Sequence, residues 1–251
     1  MNNLVTDAIN LKSYNLSEAD KIIVMYTKDY GLMRGVAKGV KKAKSKLGAR
    51  MDSLVANKVM LYKGKNLDTI CQAEALNTFK ETRKDLDKLV YSSYISEIIS
   101  VFGVEDDPSS KEVYELFYKA LDRISEAKSK KDAMIAVIKF QLKMMLIAGF
   151  GLEFDSCLCC REQILDEDMY FSTQMGGVVC EECNETLGVK LKLHHKMRDF
   201  LQAMMQFDFN YESDYDKKAT DKVCEVCINL LHDYIQSHSN KKIKALSVIE
   251  S

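Results

Sequence analysis

The sequence predicts an α+β multidomain protein: a small N-terminal β-barrel, then an α-helical domain that carries a four-cysteine zinc module. Three observations predict it. Short β-branched and aromatic runs punctuated by glycine fill residues 1–80. Apolar residues at helical spacing take over from about residue 81. Two C-x2-C pairs stand in a short polar stretch between them and the later helices. The expected limits are 1–80 for the barrel, 81–154 with 186–251 for the helical domain, and 155–185 for the inserted module.

Element by element, "KIIVMYT" (21–27) reads as a strand, and "GLMRGVAKG" (31–39) as a strand bent and ended by its three glycines. Residues 53–79 split into two strands at Lys63–Asn66, where Gly64 opens a hairpin turn. About five short strands in 80 residues fit an OB-fold or an SH3-like barrel. In 86–102, Leu89, Val90, Tyr94, Ile98 and Phe102 follow a helical period, as do the apolar residues of 112–124 and 133–150. Pro108, Ser109 and Ser110 mark the start of the second helix, and Gly149 and Gly151 end the third. Helices resume at 194–207 and 221–237.

The chain has 251 residues and a formal net charge of −1. No run of about 18 apolar residues suggests a membrane span, and the N-terminal stretch lacks the pattern of a secretory signal. The expected compartment is the cytoplasm, where cysteines stay reduced and metal binding competes with disulfides. Charge is unevenly spread. Residues 1–80 hold 14 Lys and Arg against 7 Asp and Glu, whereas 81–251 hold 22 against 30. The excess concentrates in "RGVAKGVKKAKSKLGAR" (34–50), with Arg34, Lys38, Lys41, Lys42, Lys44, Lys46 and Arg50 and no acid. Such a run suits phosphate contact by counterion release. It is expected as a mobile loop after the third strand, with Gly35, Gly39 and Gly48 letting backbone approach a ligand. Tyr14, Tyr26, Tyr30 and Tyr62 are candidate stacking faces.

Cys157, Cys160, Cys180 and Cys183 form C-x2-C-x19-C-x2-C. Two such knuckles point four thiolates inward and close a tetrahedral shell with no open position, the pattern of a structural zinc site. Cys159 is a spare thiol or a substitute ligand. A third C-x2-C, Cys224 and Cys227, sits in a helical pattern and reads as buried small hydrophobes, and Cys71 reads as a packed strand residue. Nucleotide-hydrolysing, deaminase and serine-hydrolase motifs are absent. His194 and His195 open a helix, where capping or surface placement is expected.

Residues 11–54, "LKSYNLSEADKIIVMYTKDYGLMRGVAKGVKKAKSKLGARMDSL", resemble the start of the bacterial RecO family of recombination mediators. "YFSTQMGGVVCEEC" (170–183) and "LLHDYIQSHSNKKIKALSVIE" (230–250) resemble later parts of it, so the similarity covers nearly the whole chain. The resemblance implies an N-terminal OB-fold and a helical domain with zinc on the four cysteines. It implies no catalytic turnover. It further implies binding of single- and double-stranded DNA, annealing of complementary strands and, with RecR, loading of RecA onto strands covered by single-stranded DNA-binding protein (SSB). The seven basic residues of 34–50 would hold DNA. The acidic C-terminal tail of SSB would need a basic, apolar groove, for which Lys139, Lys143 and Arg198 are helix-borne candidates. "CLCC" (157–160) departs from the family pattern through Cys159. The competing reading is a zinc-ribbon nucleic-acid-binding regulator of transcription or translation.

Overall fold

Alternation of buried and exposed residues closes the N-terminal strands into a barrel. The computed structural model describes residues 3–248, so the outermost residues of the expected domain limits lie outside the described residues. The strands are β1 (Asn3–Asn15), β2 (Lys21–Thr27), β3 (Gly31–Ala37), β4 (Ala56–Tyr62) and β5 (Asp68–Asn77). They form a closed barrel in the order β1-β2-β3-β5-β4, with β3 and β5 parallel and the other pairs antiparallel. This is an OB-type arrangement, and closure leaves no free sheet edge. Ala8, Ile23, Met25, Met33, Val59, Leu61 and Ile70 meet in its core. β1 carries a register shift between Asn10 and Lys12, so that Ala8 to Leu11 are all buried in succession.

Helices follow: α1 (Leu86–Phe102), α2 (Ser110–Glu126) and α3 (Lys130–Ile147). Asp85 caps α1 by accepting from the Lys88 N–H at 3.1 Å, and Ser129 with Asp132 forms a capping box on α3. Then come β6 (Asp168–Ser172), β7 (Gly177–Val179), α4 (Glu181–Leu187), β8 (Lys192–His194), α5 (His195–Gln206), α6 (Asp214–Lys218) and α7 (Asp221–Ser237). β7-β6-β8 is a small antiparallel sheet.

The chain forms two compact units, Met1–Glu126 with Ile243–Ser251, and Ala127–Lys242. In the first, α1 and α2 cover one side of the barrel, and the Tyr26 hydroxyl reaches Asp107 at 3.4 Å. The chain returns to this unit after α7. One carboxylate oxygen of Glu97 on α1 accepts from the N–H groups of Lys244 (2.8 Å) and Ala245 (2.9 Å), while Ile243 and Leu246 are buried. In the second unit α3 packs on α5 and α7, burying Met134, Ile138, Phe140, Leu142 and Met145. Cys224 and Cys227 are fully buried on α7, where burial raises both thiols' pKa, that of Cys224 to about 12.

Candidate nucleic-acid interface and metal centre

Arg34 lies within β3, and the remaining six cations of the 34–50 run follow it in turns and a 3₁₀ turn at Gly48–Met51. All seven side chains are exposed. The expectation of a mobile loop is corrected, because the segment is pinned at several points. Val40 and Leu47 are buried in the barrel core beside Met51. The Gly39 N–H donates to the Asp20 carboxylate at 2.7 Å, and the Lys41 N–H to the Ala19 carbonyl at 3.1 Å. The Lys41 ammonium donates to the Ser17 carbonyl at 2.9 Å. At the far end, the buried side-chain amides of Asn10 and Asn57 each donate to the Arg50 carbonyl at 2.8 Å. Asn10 also reaches the Asp52 carbonyl at 3.0 Å. Segment 17–20 therefore clasps one end of the basic run and the barrel interior holds the other.

The glycines divide by role. Gly39 has φ +64°, a turn conformation that side chains resist. At Gly35 a Cβ would lie 2.8 Å from Ile70 Cγ1, so this glycine serves packing of β3 on β5 rather than approach to a ligand. Asp20 has its pKa lowered, first by the Gly39 N–H, then by Ser17 and the charges of Lys38 and Lys42.

A cleft of about 400 Å³ is lined by Lys38, Lys42, Lys44 and Lys46 together with Ile70 and Cys71. Cys71 is exposed, not packed in the core as its strand setting suggested. It sits on the outer face of β5, where the next residue inward, Ile70, fills the barrel instead. The tyrosines also divide. Tyr26 is fully buried and Tyr30 packs against the barrel core. Tyr14 is 52 % exposed, Tyr62 is 37 % exposed, and the Lys12 ammonium lies 5.8 Å from the Tyr14 ring centre. Strand register puts Lys12, Val24 and Arg34 in one row and Tyr14, Ile22 and Val36 in the next. One outer face of β1–β3 thus carries two cations beside an exposed ring.

The four cysteines converge in the second unit. Their Sγ atoms all lie within 4.8 Å of one another, with Cys160 and Cys180 at 3.9 Å. A tetrahedral thiolate shell on zinc has sulfur–sulfur separations of about 3.8 Å, so small side-chain rotations close this set on an ion. The first knuckle turns through Arg161, whose φ is +67° and whose N–H bonds the Cys157 carbonyl. The second places Cys180 at the N-cap of α4 and Cys183 in its first turn. Cys157 is fully buried. Burial opposes its ionisation, but N–H groups of Cys180, Cys160 and Cys159 outweigh that and lower its pKa to about 6. The Cys180 thiol, first among several causes, raises the pKa of Cys183. A cation would relieve this crowding of thiols. Cys159 is exposed and stands outside the four-thiol group.

The suggested peptide-binding cations are corrected. Lys139 is 2 % exposed and donates to the Asp208 and Tyr211 carbonyls and to Asp216 at 3.4 Å. Lys143 donates to the Met205 carbonyl, and Arg198 to the Ile164 carbonyl and Asp199. All three are engaged in holding the unit together. A groove of about 510 Å³ elsewhere in this unit has an apolar floor of Met197, Phe200 and Val223, with Tyr215, Lys196 and Lys218 around it. No sequence period marks it, because it gathers the start of α5, α6 and the first turn of α7. His194 caps α5, accepting from the Lys196 N–H at 3.3 Å, as its position suggested. Among the described residues no helix is long and apolar enough to cross a membrane.

An OB-type barrel bearing an exposed basic segment, joined to helices with a thiol cluster fit for a metal, defines a modular protein built for binding. Comparison with known families agrees. Residues 1–79 match the model described as Recombination protein O N terminal, and 83–247 that described as Recombination protein O C terminal. The chain belongs to the Recombination protein O family, whose members are non-enzymatic mediators in DNA repair. It is similar to the DNA repair protein RecO of Caldanaerobacter subterraneus subsp. tengcongensis, at 29 % identity over 96 % of this chain and 95 % of the relative. The Clostridium novyi protein of the same name is 28 % identical over 97 % of this chain and 92 % of that one. That of Acetivibrio thermocellus is 31 % identical over 77 % of this chain and 75 % of the relative.

Proposed function

We propose that the protein binds single- and double-stranded DNA through Arg34, Lys38, Lys41, Lys42, Lys44, Lys46 and Arg50, and anneals complementary strands. The observation that carries this is the acid-free run of seven exposed cations fastened at both ends to a barrel. Two single strands repel along their backbones. A fixed row of ammonium and guanidinium groups lowers that repulsion, and base pairing then drives the reaction without nucleotide hydrolysis. Tyr14 and Tyr62 are the ring faces available for stacking.

The reading extends to partners, with 1–80 as the DNA-binding part, 81–154 and 186–251 as the helical part and 155–185 as the metal-held insert. With RecR the protein would help load RecA onto SSB-coated single strands in the bacterial cytoplasm, at the nucleoid during repair. The groove floored by Met197, Phe200 and Val223 and edged by Lys196 and Lys218 has the make-up that the acidic, apolar tail of SSB requires. The ion assigned to Cys157, Cys160, Cys180 and Cys183 is zinc. Its role is structural, since four thiolates leave no position for a substrate.

The test is annealing of two complementary labelled oligonucleotides without ATP, comparing wild type with Lys41, Lys42, Lys44 and Lys46 all changed to Glu. Salt-sensitive acceleration by wild type, lost in the variant, is the expected result. No acceleration by wild type would refute the annealing activity, and a fully active variant would remove the basic run from it.

A further inference from the structure

A second cleft of the first unit, about 530 Å³, opens beside the bulge of β1 and along α1. Its walls combine two cations, Lys12 and Arg83, with a ladder of hydroxyls one helical turn apart, Ser93, Ser96 and Ser100. We propose that this cleft receives an unstacked base of a bound single strand, while Lys12 and Arg83 hold the adjoining phosphates. The proposal rests on the DNA-binding reading above and adds to it the residues that touch a base.

Three observations support it. First, one hydroxyl of the ladder is left wanting. Ser96 is 5 % exposed, faces the cleft and forms no hydrogen bond among the described residues. A buried hydroxyl is normally satisfied, so the unpaired Ser96 in the wall of the cleft signals a polar guest. Second, neither cation is paired with a carboxylate among the described residues. The Lys12 ammonium lies near the Tyr14 ring, and the Arg83 guanidinium, held in place by the carbonyls of Thr78 and Ser53, keeps its charge unneutralised at the wall. Third, the cleft continues the basic segment. Asp52 and Ser53 line it, two and three residues past Arg50, and Lys12 shares its outer face with Tyr14 and Arg34.

The chemistry suits a nucleotide better than a bare anion. Asp52 and Glu97 also line the cleft, which repels a free phosphate but offers acceptors to the amino and imino groups on a base edge. Leu89 and Leu54 give apolar faces for the ring. A duplex cannot offer an unpaired base edge, so the cleft favours single strands.

The experiment uses the full-length protein and fluorescence anisotropy on two oligonucleotides of equal length, one of thymidines and one of abasic residues. Both carry the same phosphates. Wild type is expected to prefer thymidine, and Ser96→Leu, which fills the cleft, to reduce that preference about tenfold. Ser100→Leu acts at the mouth and should change it in the same direction. If both leucine variants keep the wild-type preference, the cleft takes no base. If wild type binds neither oligonucleotide, the DNA-binding reading itself falls. Should Ser96→Leu unfold, light-induced crosslinking of a 4-thiothymidine strand to wild type decides. Adducts within 89–100 support the proposal, and adducts only elsewhere overturn it.

Discussion

Asn10 and Asn57, on adjacent strands of the barrel, donate their side-chain amides to one carbonyl, that of Arg50, each at 2.8 Å. Both are buried, and among the described residues their own carbonyl oxygens find no partner. The site therefore gives up hydrogen bonds to fix the end of the basic run. Asn10→Ala removes donors to Arg50 and Asp52 and should cost about 1–3 kcal/mol. Asn10→Asp keeps the shape but turns a donor into an anion against two carbonyls, so it should cost more than alanine. Chemical denaturation checks the order. Aspartate as stable as alanine would show that the amide bonds carry little.

The clasp at the other end depends on pH. Folding holds the Asp20 carboxyl below the usual carboxylate range, chiefly through the Gly39 N–H. A depressed carboxyl pKa contributes stability that is fully present above the unfolded pKa and lost as pH falls through the folded one. The protection factors of the amides across 38–48, taken relative to the intrinsic rate at each pH, should thus be unchanged from pH 7 to 5 and fall only below about 4, where carboxylates titrate. Asp20→Asn should remove that fall.

DNA affinity should follow salt. If about five phosphates are neutralised, the slope of log affinity on log salt is about −3.5 for single strands. Each Lys→Ala within 41–46 should flatten it by about 0.7. A titration with a labelled single strand at several salt concentrations measures this, and a flat response in wild type would exclude phosphate contact as the source of affinity.

Metal removal should act locally. Cys183→Ser breaks the four-thiol set, so zinc content by mass spectrometry should fall well below one per chain. Exchange protection should be lost first across α4, which buries no residue of its own, and less in β6 and β7, which bury Met169, Phe171, Val178 and Val179, while the barrel strands keep theirs. Zinc retained in full by the variant would mean that Cys159 replaces it.

Lys139 makes a separate stability prediction. Lys139→Met leaves the buried Asp216 carboxylate with its Ser213 hydrogen bonds but without its cation, and should destabilise the second unit by about 3 kcal/mol. Lys139→Met with Asp216→Leu should recover part of the loss. A melt of the single variant equal to wild type would show that the pair is not holding 208–216 to α3.

How much the sequence disclosed followed from how local each signal is. The bounds of α1 and α7 were legible because period and caps lie within the helix itself. β1 was not singled out as a strand, since buried Thr6 and Asn10 and the shift after Asn10 erase its alternation. The cysteine set was plain from spacing, yet the small β7-β6-β8 sheet that frames it depends on strands of three to five residues, too short to show a period. The cations of 34–50 were evident, but their fastening by Asn10, Asn57 and Asp20 joins positions far apart in the chain. For the same reason Lys139 read as a surface cation. Its partners lie 69 to 77 residues away.

The return of residues 243–248 to α1, held through Glu97, also sets an order of events during synthesis. The first unit needs a strap encoded after the whole of the second, so its barrel and first two helices leave the ribosome long before the segment that covers α1. Until then that helix face and the serine-lined cleft beside Ala245 stand open to the solvent. The nascent unit acquires its final surface only once the cysteine-bearing unit has been made. A frameshift or premature stop late in the message would therefore damage the earliest-made part of the molecule, although every residue of its barrel is intact.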